Sequence, residues 1–423
     1  MSKPCLSFSQ SMGNSFRQTF AGIFARQEMD ANQMLSGHLQ STLSGVEASE
    51  SEYIIAAQDT TYYNYSGQRA MEGLGEIQGK VRGLLQHNVL LLDQVGLPLG
   101  LLAQQYWTRN GGQDLPPEEK ESNKWHKGLS AINEHLCASS KTIVAVEDRE
   151  GDIFSFFRAE RQPNVELLVR VHQPRPLEVI ASQQLHKLPQ VYPHLGDYGQ
   201  LSVTVERQNR AVQLVLNLRA GAVNVYPDQD LSSSQHKTQG WSLVVAQEVA
   251  CIDLNTQQVM PPPETPAVWY LLSSLPTDSL EQVQRIVHFY ALRWRIERFH
   301  YTLKSGALNV ETWQFDDIHT LINSLAFYSV VAWRLLALTY AIRADPTQPA
   351  YALFDSSELL LLQTFTSKPI VSLGDAVLAL ARVVGFAPSK KQPFPGVKVL
   401  ATALERFAFA SIGFQSAIKP LQD

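Results

Sequence analysis

Tyr290, Arg293, Glu297 and Lys304 lie in the stretch YALRWRIERFHYTLK, spaced Tyr-x2-Arg-x3-Glu-x6-Lys. At about 100° per residue of α-helix, the four fall at roughly 0°, −60°, −20° and −40° around the axis. A solvated helix face scatters its charges, and a core stripe carries Leu and Ile. Here one carboxylate is flanked by a phenol and two cations within an arc of about 60°. A carboxylate binds a hard cation, and the flanking groups bind phosphate oxygens. The stripe is therefore suited to holding a metal ion against a nucleic-acid backbone. Residues 285–304 also collect Arg285, Arg293, Arg295, Arg298 and Lys304 against the single acid Glu297. The formal charge of the whole chain is −5. Nucleic-acid binding must then rest on this local cluster, Arg298 included, and not on overall basicity.

Two further acids sit where strands are expected to end. Tyr53–Asp59 reads as a strand finishing on Asp59. Thr142–Val146 reads as a strand buried on both faces, running into Glu147-Asp148-Arg149-Glu150. Open α/β sheets gather functional groups at strand ends. Asp59, Asp148 and Glu297 are thus candidate ligands for two Mg²⁺ ions, with Mn²⁺ able to substitute. Such a pair, about 4 Å apart, supports in-line displacement at phosphorus.

Each of these residues also has a plainer reading. Glu297 can be the i,i+4 partner of Arg293 on a wet helix face. Asp59 can cap a turn through Thr60 and Thr61. Asp152 suits the start of a helix over Gly151–Arg161, with an outer-shell role as the alternative. On spacing alone Trp269, inside Val268–Leu272, is a core residue. Trp294 points about 100° off the stripe and reads as packing. Tyr62, Tyr63 and Tyr65 read as strand residues, with an aromatic patch for DNA as the alternative. His288, His300 and His319 show no ligand spacing, and His87 receives no task.

The elements that must position these groups follow from hydropathy patterning. At 423 residues, 44% hydrophobic and 18% charged, the chain reads as globular, with room for two or three cores. Cys5, Cys137 and Cys251 form no pair motif, which argues against a disulfide framework or a zinc site and fits a reducing cytosol. No charged segment followed by an apolar one opens the chain, so no signal peptide is expected. Leu321–Ile342 is long enough to span a membrane, but Arg334 near its middle points to a buried helix, and no membrane partner is expected. Residues 1–45 look helical but broken. Val89–Leu92 and Leu97–Leu102 flank a turn at Asp93–Gly96, Lys120–Leu136 has helical spacing, and Leu167–Val171 is a strand. Residues 172–250 form an all-β insertion, with alternating Leu201–Glu206 and Val212–Leu218 around a turn at Arg207–Arg210. A long helix starts at the box-like Asp278-x-x-Glu281 and runs to Ser305. Residues 346–423 are helical segments punctuated by proline.

With these elements in place, the chain resembles the bacterial DDE transposases of the insertion-sequence-four type. The carriers are the Y-R-E-K spacing, Gln58-Asp59-Thr60-Thr61, Asp148-Arg149-Glu150, Lys120-Glu121-Ser122-x-Lys124-Trp125, the strand ending in Arg170, Trp269 ahead of the long helix, and Gly385-Phe386. The resemblance covers about residues 12–420. It implies an α/β fold in which an RNase H-like catalytic core (46–345) carries the β insertion (172–250). A helical N-terminal remnant (1–45) and a helical C-terminal dimerisation region (346–423) flank that core. It implies Asp59, Asp148 and Glu297 as metal ligands. Tyr290, Arg293 and Lys304 would grip phosphates, Arg170 would touch DNA backbone, and Trp269 would stack on a base flipped out of a bent 5′ strand.

The expected activity is Mg²⁺-dependent cleavage and strand transfer at the ends of an insertion element. The expected partners are transposon-end and target DNA and a second copy of the chain, in a cytoplasmic, nucleoid-associated setting. Relatives of this type carry a larger end-binding module ahead of the core, so specific end recognition is in question. An upstream start, a decayed copy or a natural short form each account for the difference. The alternatives are a non-catalytic DNA-binding or dimerising regulator derived from such an enzyme, and a structure-specific nuclease on the same fold.

Overall fold

A computed structural model describes residues 22–68, 71–109, 120–207, 210–227, 237–261, 264–390 and 392–418. The N-terminal reading therefore lies outside the described residues up to position 21. From Asp30 onward it is a single helix, α1 (Ala31–Ala48), opened by a reciprocal Asp30–Gln33 capping box.

The strands are β1 (Tyr53–Asn64), β2 (Gly75–Gln78), β3 (Val81–Asp93), β4 (Pro98–Trp107), β5 (Thr142–Glu147), β6 (Val165–Val171), β7 (Pro176–Val179), β8 (Gln184–Lys187), β9 (Gly196–Arg207), β10 (Arg210–Val225), β11 (Thr238–Asp253), β12 (Val259–Met260) and β13 (Val268–Ser273). They form one sheet, with the order β2-β3-β1-β5-β6-β13-β11-β10-β7-β8. β4 pairs with β3, β9 with β10, and β12 with β11. β1, β3 and β4 make an antiparallel meander, turned at Gly96 (φ +90°) beneath the Asp93 carboxylate, which accepts from the Val95 and Leu97 N–H groups. β5 and β6 join on the other side of β1, both parallel to it. The β-rich segment after residue 172 is built into the same sheet, because β13 bridges β6 to β11.

The remaining helices are α2 (Asn123–Leu136), α3 (Phe154–Phe157), α4 (Leu280–Leu292), α5 (Trp294–Tyr301), α6 (Ile318–Ala344), α7 (Ser356–Thr364), α8 (Leu373–Arg382) and α9 (Val397–Ile418). Alternation along the strands divides the core. Ile54, Ala56, Ile143 and Ala145 face Trp125, Leu129 and Ile132 of α2. Ile55, Ala57, Val144 and Val146 face Val283, Ile286 and Tyr290 of α4 and Ile296 of α5. A third cluster joins Leu335 and Leu338 of α6 to Leu362, Leu373 and Leu400 of the C-terminal helices.

Three expectations change in detail. The helix expected over 278–305 breaks at Arg293. There the Arg293 N–H bonds to Tyr290 O and the Ile296 N–H to Arg293 O, tightening the turn. It ends as a π-helical turn over Thr302–Gly306. Its cap is Ser279 with Gln282, one residue beyond the expected box. The helix expected over Gly151–Arg161 is a 3-10 turn at Arg149–Gly151 followed by the single turn α3. α6 is, among the described residues, the one helix long and apolar enough to cross a membrane. Its most apolar window is 61% buried within the protein, and Arg334 makes two contacts of 2.6 and 2.8 Å to Glu358 of α7.

Candidate metal and nucleic-acid site

The register of the parallel strands sets the level of the acids. Ala57 pairs with Val146 across β1 and β5, and Glu147 pairs with Val169 across β5 and β6. Gln58 and Glu147 come next, and Gln58 Nε2 donates to Glu147 Oε1 at 2.8 Å on the α2 face. The following residue of each strand emerges on the other face, because side chains alternate. Asp59 and Asp148 therefore stand side by side on the face covered by α4 and α5, with Arg170 level with them one strand further on. β1 does not end at Asp59 as expected. It continues to Asn64 because β3 keeps pairing with it after β5 has stopped.

Each aspartate is held by its own backbone. Asp59 Oδ1 accepts the Thr60 N–H at 2.9 Å. Asp148 Oδ1 caps the 3-10 turn through the Glu150 N–H at 2.8 Å. That turn is pinned by Lys124 of α2, whose Nζ lies 2.7 Å from Glu150 and 3.7 Å from Glu121.

Helix α5 and the residue before it supply the other groups. The Arg293 guanidinium is buried between two carboxylates, with Nη1 3.7 Å from Asp59 Oδ2 and Nη2 2.7 Å from Glu297 Oε1. Burial pushes the Asp59 carboxyl up to about 7. Arg293 opposes that rise, and the Asp148 and Glu297 carboxylates add to it. Burial works against the Arg293 charge, but Asp59, Tyr290, Glu297 and Asp148 hold its pKa above the ordinary value. Asp59 thus feels both of the other acids as well as the buried cation.

The donor set suits a hard divalent cation, since Asp59 and Asp148 offer carboxylate oxygens at one level of neighbouring parallel strands. A finished cage is not present: among the described residues no three His, Cys, Asp or Glu side chains stand together as metal ligands. The Glu297 carboxylate is turned onto Arg293. Of the three expected ligands, Asp59 and Asp148 share one face and one level of the sheet. The third, Glu297, fits only if it leaves Arg293.

The expected DNA contacts divide. Lys304, in the π turn, lies 4.2 Å above the ring of Tyr62 and 3.8 Å from Glu311. Arg298 is exposed and covers Tyr301. Arg170 is half-buried and donates to Val268 O at 3.3 Å. Tyr290 and Trp269 are corrected. They are 1% and 7% exposed and meet edge-to-face at 5.3 Å inside the core, so neither offers a face to a base or a phosphate in this state. Trp294 is corrected in the opposite sense: it is 52% exposed. Tyr62 is a strand residue as expected, but half exposed as the platform for Lys304.

The residues left without a role also find places. Asp152 is not a helix start; it closes the 3-10 turn that Asp148 opens. Its buried carboxylate accepts the His172 and Gln173 N–H groups and pairs with Arg175 at 2.5 Å, tying down the chain after β6. His87, on the α2 face, bonds Thr60 Oγ1 and Gln58 Oε1 at 2.9 and 3.1 Å and meets the Trp125 ring edge-on. Burial, then Lys124 and His300, hold it well below the ordinary histidine range, so it is neutral. His300 was missed. Its Nδ1 lies 3.7 Å from Asp59 Oδ2, and burial with Lys304 and Arg293 holds it down at about 3. Its position three residues after Glu297 was the available signal, since i and i+3 share a helix face.

No protein-family model matches the chain. Among solved structures, it is weakly similar to a piggyBac transposase synaptic complex with hairpin DNA. Identity is 8% and the TM-score 0.38, over 94% of this chain and 65% of that one. The chain thus spans about two thirds of that protein's length. A likeness of this strength carries no argument about activity, and the functional reading rests on the site itself.

Proposed function

We propose that the chain is a DDE transposase that cleaves and joins DNA at the ends of an insertion element. The observation that carries this reading is the common level of Asp59 and Asp148 at the carboxyl side of adjacent parallel strands, with Glu297 and Arg293 facing them from α5. An antiparallel meander followed by two parallel strands on the far side of β1 supports an RNase H-like core.

Mg²⁺ ions held by Asp59, Asp148 and Glu297 would lower the pKa of a bound water or 3′-hydroxyl and neutralise charge at the scissile phosphate. The chain's own work is positioning and charge. Arg293 would exchange Glu297 for a phosphate oxygen, which frees that carboxylate to join the two aspartates. Lys304 would move from Glu311 to the backbone, and Arg298 and Arg170 would add phosphate contacts on either side. Assembly of two copies on paired ends would use the C-terminal region, where Leu360 of α7 and Phe365 and Val371 in the connection to α8 are exposed.

The test is nicking of DNA carrying the element's own termini, with Mg²⁺, by purified protein. Asp59→Ala, Asp148→Ala and Glu297→Ala should each abolish nicking and leave the circular dichroism spectrum unchanged. Normal cleavage by Glu297→Ala overturns the assignment. The Arg293–Glu297 pair favours one other reading, a DNA-binding regulator derived from such an enzyme. Salt-dependent binding without nicking by the wild type would select it.

A further inference from the structure

A run of polar side chains on the α5 face of the sheet has one possible direction, and it ends at His300. Ser329 Oγ donates to Leu325 O at 2.7 Å, so its only proton is spent. It can then only accept from Gln86 Nε2, at 3.2 Å. That fixes the Gln86 amide. Its Oε1 accepts the Tyr63 hydroxyl, and its Nε2 also donates to Tyr106 Oη at 3.0 Å. Tyr106 passes its proton to Gln104 Oε1 at 2.8 Å. Gln104 Nε2 donates to Asn88 Oδ1 at 2.7 Å, and Asn88 Nδ2 is thereby turned to His300 Nε2 at 3.0 Å. An amide N–H₂ only donates, so His300 Nε2 must be bare. The neutral ring then carries its proton on Nδ1, the atom that faces Asp59 Oδ2 at 3.7 Å.

The geometry points to His300 as a positioning residue for Asp59. Its Nδ1–H, aimed by the Ser329–Gln86–Tyr106–Gln104–Asn88 chain, points at one carboxylate oxygen from 3.7 Å and attracts it electrostatically. The Asp59 carboxylate then has a neighbour at each oxygen: the Thr60 N–H donates to Oδ1, and Oδ2 faces His300 Nδ1 and Arg293 Nη1 at 3.7 Å, an electrostatic rather than hydrogen-bonding distance. Arg293 is shared with Glu297 and, on the reading proposed above, must leave for phosphate. His300 is not shared, so it keeps the carboxylate oriented when Arg293 departs. Partners behind a metal-binding carboxylate set its orientation, and their loss commonly weakens metal binding about 10- to 100-fold. The inference rests on the metal-site reading only for this last consequence. The tautomer stands without it.

The experiment uses the full chain, metal-free and without DNA, with ¹⁵N-labelled histidine. Long-range ¹H–¹⁵N spectra distinguish bare from protonated ring nitrogens, and His300→Asn identifies the His300 signals. The expected result is bare Nε2 and protonated Nδ1. Asn88→Asp, which replaces the donor with an acceptor, should move the proton to Nε2. The Asp59 side-chain ¹³C resonance should shift in His300→Leu but much less in His300→Asn, whose amide can still donate from the Nδ1 position. Mn²⁺ titration should then show binding weakened about 10-fold or more by His300→Leu and largely kept by His300→Asn. A protonated Nε2 in the wild type, or an Asp59 resonance indifferent to His300→Leu, overturns the inference. Wild-type protein that gives the expected spectra but binds no Mn²⁺ overturns the metal-site reading and leaves the positioning contact standing.

Discussion

Gln58 donates a 2.8 Å hydrogen bond to Glu147 across two parallel strands, and this buried contact sets the level at which Asp59 and Asp148 emerge on the opposite face. Glu147 is wholly buried. Burial raises its carboxyl well above the ordinary value, the Gln58 hydrogen bond opposes this, Asp148 adds to it, and Arg161 opposes it again. A carboxyl whose pKa is raised on folding stabilises fully below its unfolded pKa, and that contribution is lost as pH rises toward the folded pKa. Glu147→Gln keeps an acceptor for Gln58 and carries no ionisation cost. The variant should therefore melt higher than the wild type at pH 7–8, with the advantage shrinking toward pH 4.5. Parallel melting curves at the two pH values check this, and an unchanged difference would rule it out.

The same contact dictates a glycine. A Cβ on Gly128 of α2 would stand 1.9 Å from Gln58 Oε1. Alanine should gain about 1 kcal/mol in helix propensity. It should lose about 1–3 kcal/mol to overpacking and a similar amount if the Gln58 hydrogen bonds break. Gly128→Ala is expected to destabilise by roughly 2 kcal/mol on those figures. Gly37 of α1 has open space where its Cβ would go, so Gly37→Ala should stabilise by about 0.5–1 kcal/mol. Urea denaturation of the two variants should give opposite signs.

The contrast between these residues shows what the sequence made legible. The strands that carry Asp59 and Asp148 and the face on which those acids emerge were readable, because alternation is a local property. So was the burial of Leu321–Ile342, from one mid-helix arginine. The fate of Tyr290 and Trp269 was not. Their spacing is compatible with a binding stripe or with a core, and only the packing of β13 against α4 decides for the core. The break at Arg293 and the π turn at Thr302 also escaped, since nothing in residue type marks a single shifted hydrogen bond. That the β-rich segment extends the sheet of the core was not legible either, because pairing between β6, β13 and β11 is non-local and leaves no periodic trace.

Lys304 and Glu311 make a prediction about nucleic-acid binding. Glu311 Oε1 lies 3.8 Å from Lys304 Nζ and also accepts the Asn64 N–H at 2.8 Å. Glu311→Gln keeps that acceptor and removes the competing charge. It should tighten binding to duplex DNA a few-fold at low salt. Lys304→Ala should weaken binding and lower the slope of log K against log salt by about 0.9, the value for one phosphate contact. Fluorescence anisotropy over a salt series reads both. Identical slopes for wild type and Lys304→Ala would remove Lys304 from the interface.

The last prediction concerns pH and the seam between α1, β4 and α6. His38 Nε2 accepts the Leu101 N–H at 2.9 Å, and its ring meets Trp333 edge-on at 4.6 Å. Burial holds its pKa down at about 4, against 6.5 for an exposed histidine. The folded chain therefore keeps a neutral ring where the unfolded chain takes up a proton. The stabilisation is complete above pH 6.5, declines as pH falls through the window from 6.5 to about 4, and does not decline further below it. The loss across that window is on the order of 2–3 kcal/mol. His38→Gln retains an acceptor for Leu101 and cannot titrate. Its unfolding free energy, measured from pH 7 to pH 4, should fall less steeply than that of the wild type by about this amount. Superimposable pH profiles would mean that His38 is solvated in the folded chain and that α1 does not close over it.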